Sequence, residues 1–211
     1  NNTINTTSIG IDVNNGSNIT FTDNSITSGS HGIDVGSGST YSLTGNSINS
    51  GDRGIYIPHG SDLFITDNDI TATETAIEIR SGGSGLIIHG NTLNSVEGLC
   101  ISANSGKDTS VIDNNNCASA SSGSWAIQMD SSDDCVFTNN IISFPSGSGI
   151  RSNSSENSSF SDNEMNVNNR GFEVNSGDSL SVFNNNVTGF RDFGILFNST
   201  QSSSIHDNSF V

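Results

Sequence analysis

Apolar and polar positions along this chain repeat with a single period from one end to the other. An apolar residue at Phe21, Leu43, Ile65, Ile88, Ile112, Phe137, Phe160, Val182 and Ile205 is followed three positions later by an asparagine. Those asparagines are Asn24, Asn46, Asn68, Asn91, Asn115, Asn140, Asn163, Asn185 and Asn208; with Asn2 ahead of them they form a row spaced 22 to 25 residues apart. Two positions past each stands a second apolar residue: Ile4, Ile26, Ile48, Ile70, Leu93, Cys117, Ile142, Met165, Val187 and Phe210. Self-similarity at this period marks a solenoid, in which one coil cannot bury its apolar face until a neighbour stacks on it.

The residue before each asparagine is only Asp, Gly or Asn, the types that tolerate a left-handed backbone in a tight turn. Each asparagine therefore occupies a short corner between two strands. A third strand per coil is read from a small residue followed by alternating apolar positions, as in Gly10-Ile11-Asp12-Val13, Gly32-Ile33-Asp34-Val35, Gly54-Ile55-Tyr56-Ile57, Ala76-Ile77-Glu78-Ile79 and Gly98-Leu99-Cys100-Ile101. Such alternation predicts half-buried strands, and no 3.6-residue apolar stripe runs far enough for a helix. The expectation is an all-β chain: one parallel β-helix domain over residues 1–211, three short strands per coil, about nine coils.

The asparagine row then has a physical role. Equivalent residues on successive coils lie about 4.8 Å apart, so inward amides can hydrogen-bond along the row. An amide carries both donors and an acceptor, so a ladder of them satisfies itself where a row of like charges could not.

The asparagine corner and the Gly-Ile-x-Val strand together resemble the right-handed parallel β-helix repeats of the NosD-like and pectate-lyase-like superfamily, over essentially the whole chain. The resemblance implies the right hand of the helix. It does not select an activity, because the superfamily holds polysaccharide lyases, hydrolases, epimerases, tailspikes and surface proteins alike.

Composition and charge narrow the classes. Charged residues make up only 13% of the chain, with 6 Lys and Arg against 22 Asp and Glu, a net of −16. That balance, without a basic cluster, argues against nucleic acid as a partner, and the absence of an 18-residue apolar run argues against membrane insertion. Eight Asn-x-Ser/Thr sequons, at Asn1, Asn5, Asn15, Asn18, Asn153, Asn157, Asn186 and Asn198, fit a glycosylated protein located outside the cell or on its surface. For the cysteines two readings stay open: buried thiols, or a Cys117–Cys135 disulfide that leaves Cys100 in the outward row.

Candidate chemistry lies on the outward row of the Gly-Ile-x-Val strand, read as Asp12, Asp34, Tyr56, Glu78, Cys100, Gln128, Arg151, Glu173 and Leu196. In enzymes of the resembled superfamily, substrate lies along this face. A catalytic reading would use Asp12, Asp34, Glu78, Arg151 and Glu173, with calcium as the one ion that stacked carboxylates call for and glycans as the ligand. Against it, Arg151 reads as a surface partner of Glu173, and Ser30-His31-Gly32 and Asp133-Asp134, which resemble pieces of polygalacturonase signatures, fall four to five coils apart. The coils are also too short to raise walls around a cleft.

On the strand before each asparagine, Phe64, Ile87, Val111 and Val136 form an exposed apolar row, of the kind that marks contact with another protein. The chain starts and stops at the same phase of the coil, with no capping helix, which reads as a segment of a longer solenoid or as ends that stack on one another. The expected function is thus a non-catalytic extracellular structural protein without cofactor or metal: a self-associating subunit of a surface layer, sheath or filament, with lateral and axial contacts. A carbohydrate-active or carbohydrate-binding β-helix is the alternative.

Overall fold

A computed structural model describes residues 1–81, 84–104, 108–120, 122 and 124–211. Among the described residues every regular element is a strand, every strand pair is parallel, and the strands form two sheets. The ten-stranded sheet takes one strand from each coil in sequence order, from Thr3–Thr6 and Ser25–Ser28 through Asn116–Ser119 to Ser209–Phe210. Its register sets Ile4, Ile26, Ile48, Ile70, Leu93, Cys117, Ile142, Met165, Val187 and Phe210 directly opposite one another. This is the apolar row that follows the asparagines.

The sixteen-stranded sheet holds the other two strands of each coil. In the first two full coils these are continuous, as Ile11–Thr22 and Ile33–Thr44, and from Arg53–His59 and Ser61–Thr66 onward they separate. The early fusion passes through Gly36-Ser37-Gly38-Ser39, where Gly38 has φ of +151° and an added Cβ would collide with the Gly16 carbonyl. Three strands per coil therefore holds from the third full coil onward.

The nine residues before the ladder asparagines all adopt the left-handed conformation, Asp23 at φ 53°, Gly45 at 67° and Asp207 at 55° among them. This turns the chain through its corner and points the asparagine inward. Asn46 shows the result. Its Nδ2 donates to Asn68 Oδ1 (2.9 Å) and to the Phe21 carbonyl (2.9 Å), while its Oδ1 accepts from Asn24 N (3.1 Å) and Asn24 Nδ2 (2.9 Å). Both amide hydrogens and the oxygen's two acceptor sites are occupied in a side chain that is 1% exposed. The same amide-to-amide bond, 2.9–3.1 Å long, joins every successive pair from Asn2 to Asn208.

One register differs from expectation. Ile101, not Leu99, lies opposite Ile77 and Ile127, so Ser102 holds the outward place expected for Cys100. The preceding corner holds one residue more than the coil before it: Ser95 faces Ala72 across 23 positions, and Ile101 faces Ile77 across 24. A displacement of two leaves the in-out alternation intact, so the sequence pattern is blind to it. In the true register Cys100 joins Gly54, Ala76 and Ala126 in the inward row of small residues.

Candidate functional site

The outward face of the Gly-Ile-x-Val strand is where charge and aromaticity concentrate. Registers place Asp12, Asp34, Tyr56, Glu78, Ser102, Gln128, Arg151, Glu173 and Leu196 in one row. The chain turns at the small residue, so the side chain just before it reaches the same face as the outward residue three positions on.

Two ion-pair clusters result. In the first, His31 Nδ1 meets Asp34 Oδ2 at 2.8 Å and its Nε2 faces Arg53 Nη1 at 3.1 Å. A guanidinium can only donate, so in this arrangement Nε2 accepts from Arg53 and Nδ1 faces the Asp34 carboxylate. Arg53 also pairs with Glu78 through Nε and with Glu74 at 3.5 Å, and Arg80 Nε reaches Glu78 Oε1 at 2.7 Å. The Tyr56 ring lies among them, its centroid 4.9 Å from His31 and 5.2 Å from each of the Arg53 and Arg80 guanidinium carbons. Burial pushes the Glu78 carboxyl up, but the hydrogen bonds and charges of Arg80 and Arg53 outweigh it and hold Glu78 below its ordinary value.

The second cluster centres on Glu173, whose side chain is 8% exposed. Arg151 Nε lies 3.4 Å from it, Arg170 pairs with it more closely, and Asn175 Nδ2 donates to it at 2.9 Å. Here too burial raises the carboxyl, and Asn175, Arg170 and Arg151 together bring it below its usual value. Beside this cluster runs a second, outer ladder: Asn153 Nδ2 donates to Asp130, Asn175 Nδ2 to Asn153 at 2.7 Å, and Asn198 Nδ2 to Asn175 at 2.6 Å.

Of the residues that the catalytic alternative would use, Asp12 and Asp34 stand opposite each other, but Asp34 is held by His31 and Asp12 is exposed. Arg151 and Glu173 are paired with each other, three and four coils from Glu78. Among the described residues no three His, Cys, Asp or Glu side chains are grouped to hold a metal, and no enclosed pocket is present. Nor is any helix there long and apolar enough to cross a membrane. Sequence reasoning did not single out His31, Arg53 and Arg80 as parts of one cluster. A signal was available in a basic residue type and an acidic one three apart across a small residue, in His31-Gly-Ile-Asp34 and again in Arg170-Gly-Phe-Glu173.

Phe64, Ile87, Val111 and Val136 lie opposite one another on successive coils; Phe64 is 39% exposed and the other three are half-buried. It is flanked by Thr66, His89, Asp113 and Thr138, where His89 Nδ1 and Asp113 Oδ1 are 2.9 Å apart.

The cysteine pairing is corrected. The disulfide joins Cys100 to Cys117, not Cys117 to Cys135. Cys135 is a buried thiol outside that bond, its Sγ directed at the Ser132 and Asp133 carbonyls, and burial first of all pushes it up to about 11.

The eight sequon asparagines occupy different environments. Asn1, Asn5, Asn15, Asn18, Asn157, Asn186 and Asn198 are exposed, whereas Asn153 is half-buried in the outer ladder. A sequence profile of the right-handed β-helix region matches residues 1–126 and again 115–211, which together span the chain. A comparison with curated proteins finds no match.

Proposed function

The chain belongs to the right-handed β-helix family, and we propose that this member is a non-catalytic structural protein of the cell exterior, a self-assembling subunit of a surface layer, sheath or filament. The observation that carries the reading is the uninterrupted ladder from Asn2 to Asn208, with no enclosed pocket among the described residues beside it. Coils locked this way behave as a stiff rod whose flat faces are available for contact. Two further features support it. The row from Phe64 to Val136 is an apolar strip four coils long that a lateral contact would cover. The Cys100–Cys117 bond accords with an oxidising compartment. Light scattering and electron microscopy over a range of protein concentrations test the proposal. Particles that grow with concentration are the expected result, and monodisperse monomers at high concentration would overturn it.

The cluster around Tyr56 favours a second reading, carbohydrate binding or turnover on the Gly-Ile-x-Val face. A tyrosine ring bordered by Arg53, Arg80 and His31 offers a stacking surface together with donors for hydroxyl and carboxylate groups. Incubation with acidic polysaccharides, with and without calcium, separates the readings. Unsaturated or shortened products that vanish in Tyr56→Ala would replace the structural role with a catalytic one.

A further inference from the structure

The coil has a second left-handed corner, between the Gly-Ile-x-Val strand and the strand that leads to the ladder. Successive coils place there Asn18 (φ 56°), Thr40 (60°), Asp62 (51°), Gly85 (86°), Thr109 (57°), Asp134 (55°), Asn157 (51°), Ser179 (57°) and Ser202 (52°). Two members of this row, Asn18 and Asn157, begin sequons, Asn18-Ile19-Thr20 and Asn157-Ser158-Ser159.

The other sequons have their asparagines in different settings. Asn153 donates through Nδ2 to Asp130 and accepts from Asn175, and Asn198 donates through Nδ2 to Asn175. Asn15 accepts from Ser37 Oγ. Asn5 and Asn186 lie within the flat ten-stranded sheet, opposite Thr27 in one case and Glu164 and Ser209 in the other, so neighbouring side chains stand about 4.8 Å away. Asn1 is exposed just ahead of the strand Thr3–Thr6 and outside the left-handed row. Asn18, a left-handed residue within the long strand Ile11–Thr22, and Asn157, its counterpart six coils on, are both exposed, and among the described residues their side-chain amides have no hydrogen-bond partner.

We propose that Asn18 and Asn157 are the N-glycan acceptors of this protein, and that Asn153 and Asn198 are sequons by sequence only. The inference rests on the cell-surface reading. The donor class is a lipid-diphosphate-linked oligosaccharide. The asparagine Nδ2 bonds to the anomeric carbon as that carbon's bond to the diphosphate oxygen breaks; the lipid diphosphate leaves with the electron pair, and an amide proton passes to solvent. At Asn153 a glycan would have to displace Asp130 and Asn175 from a half-buried network, so molecules carrying it there fold less well and are depleted from the secreted pool. At Asn18 and Asn157 the fold has nothing to give up. The two sites share one edge of the solenoid, six coils apart, and no sequon lies between Ile19 and Ser152, the stretch that carries the apolar row.

The test is to express the full chain behind a secretion leader in a glycosylating host and purify the folded, secreted protein. Enzymatic glycan release in heavy-oxygen water then marks every asparagine that was occupied. Asn18 and Asn157 are expected to be occupied in most molecules, Asn153 and Asn198 in fewer than about one in ten. Thr20→Ala and Ser159→Ala should each remove one glycan's mass while leaving the asparagine in place. Occupancy at Asn153 or Asn198 equal to or above that at Asn18 or Asn157, or no glycan at the latter two, would overturn the assignment. Because the leader supplies the compartment, this outcome is independent of where the native protein resides, which fractionation of the native cells decides separately.

Discussion

Cys100 is bonded to Cys117 at the point where other coils set a small residue against a large one. A Cβ added at Gly10 would strike Ile26, at Gly32 Ile48, at Gly54 Ile70, at Gly149 Met165 and at Gly171 Val187. Each pair is 16 residues apart, whereas Cys100 and Cys117 are 17 apart because the stretch from Ile101 to Ile112 is one residue longer than that from Ile55 to Ile65. Two side chains of intermediate size, joined covalently, fill the space that glycine and a larger apolar side chain fill in those coils.

Peptide mapping without reduction is therefore expected to link Cys100 to Cys117, with Cys135 alkylated only after unfolding. Closing a loop of this length is worth about 3 kcal/mol, so the Cys100→Ala, Cys117→Ala double variant should lose at least that much. Cys100→Ala with Cys117→Ile, which restores the pairing used by Ala126 and Ile142, should recover part of the loss in urea unfolding. Equal midpoints for the two double variants would contradict the volume argument.

Asn115 accepts from Asn91 N (3.1 Å) and Nδ2 (3.0 Å), and donates to the Ile88 carbonyl (2.9 Å) and Asn140 Oδ1 (3.1 Å). Asn115→Ala strands these partners in the interior, at about 1–3 kcal/mol for each buried group left unpaired. The same change at exposed Asn186 should stay within about 0.5 kcal/mol. Chemical denaturation of the two variants side by side checks the contrast, and similar losses at both would deny the ladder its role.

Glu78 and Glu173 are both held below the ordinary carboxylate value in the folded state. The unfolded chain then binds more protons than the native one as acid is added. Stability from these groups is fully present above the unfolded carboxyl value and is lost as pH falls through the folded one. Thermal midpoints should drop on acidification from neutral pH. Glu78→Gln and Glu173→Gln should flatten that slope while lowering the midpoint at pH 7, and an unchanged slope in the double variant would argue against the pairing.

Thr40 is a β-branched residue held at φ 60°, where such side chains are strained by about 1 kcal/mol or more. Thr40→Asn places at this corner the residue type that Asn18 and Asn157 already supply. A gain of roughly 0.5–1 kcal/mol is expected in thermal unfolding, and a loss would show that Thr40 is held there by something other than the turn.

The apolar row yields to substitutions that preserve strand preference. Ile87→Thr with Val111→Thr makes two half-buried members of the row polar without removing β-branching. Growth of particles with concentration should cease while the thermal midpoint of the monomer moves little. Assembly that proceeds unchanged would place the lateral contact on another face.

Most of the fold was legible because each element depends on residues close in sequence. Asp23, Gly45 and Asp67 announce a left-handed corner, Phe21 and Ile26 announce strands on either side, and repetition of the unit implies stacking. The apolar row Phe64, Ile87, Val111, Val136 and the Arg151–Glu173 pair follow from the same alignment. The first charged cluster was only partly legible, since His31 and Arg53 stand ahead of the small residue at which the alternating pattern begins. Asn18 and Asn157 were visible as sequons but not as members of a common turn, because their row shares no single residue type.

What the sequence alone determined is the coil: its period, its three sides, the inward asparagines and the parallel stacking. These follow from local turn preference and from an alternation that a displacement of one residue would destroy. Tertiary structure decided the contacts between one coil and the next. It placed Ile101 rather than Leu99 beside Ile77, gave Cys100 rather than Cys135 to Cys117, and tied Asn153 and Asn198 into a ladder while leaving Asn18 and Asn157 exposed. The reason is one of symmetry: a strand moved by two residues looks the same to its own sequence, and only the packing of a neighbour a few ångströms away distinguishes the two positions.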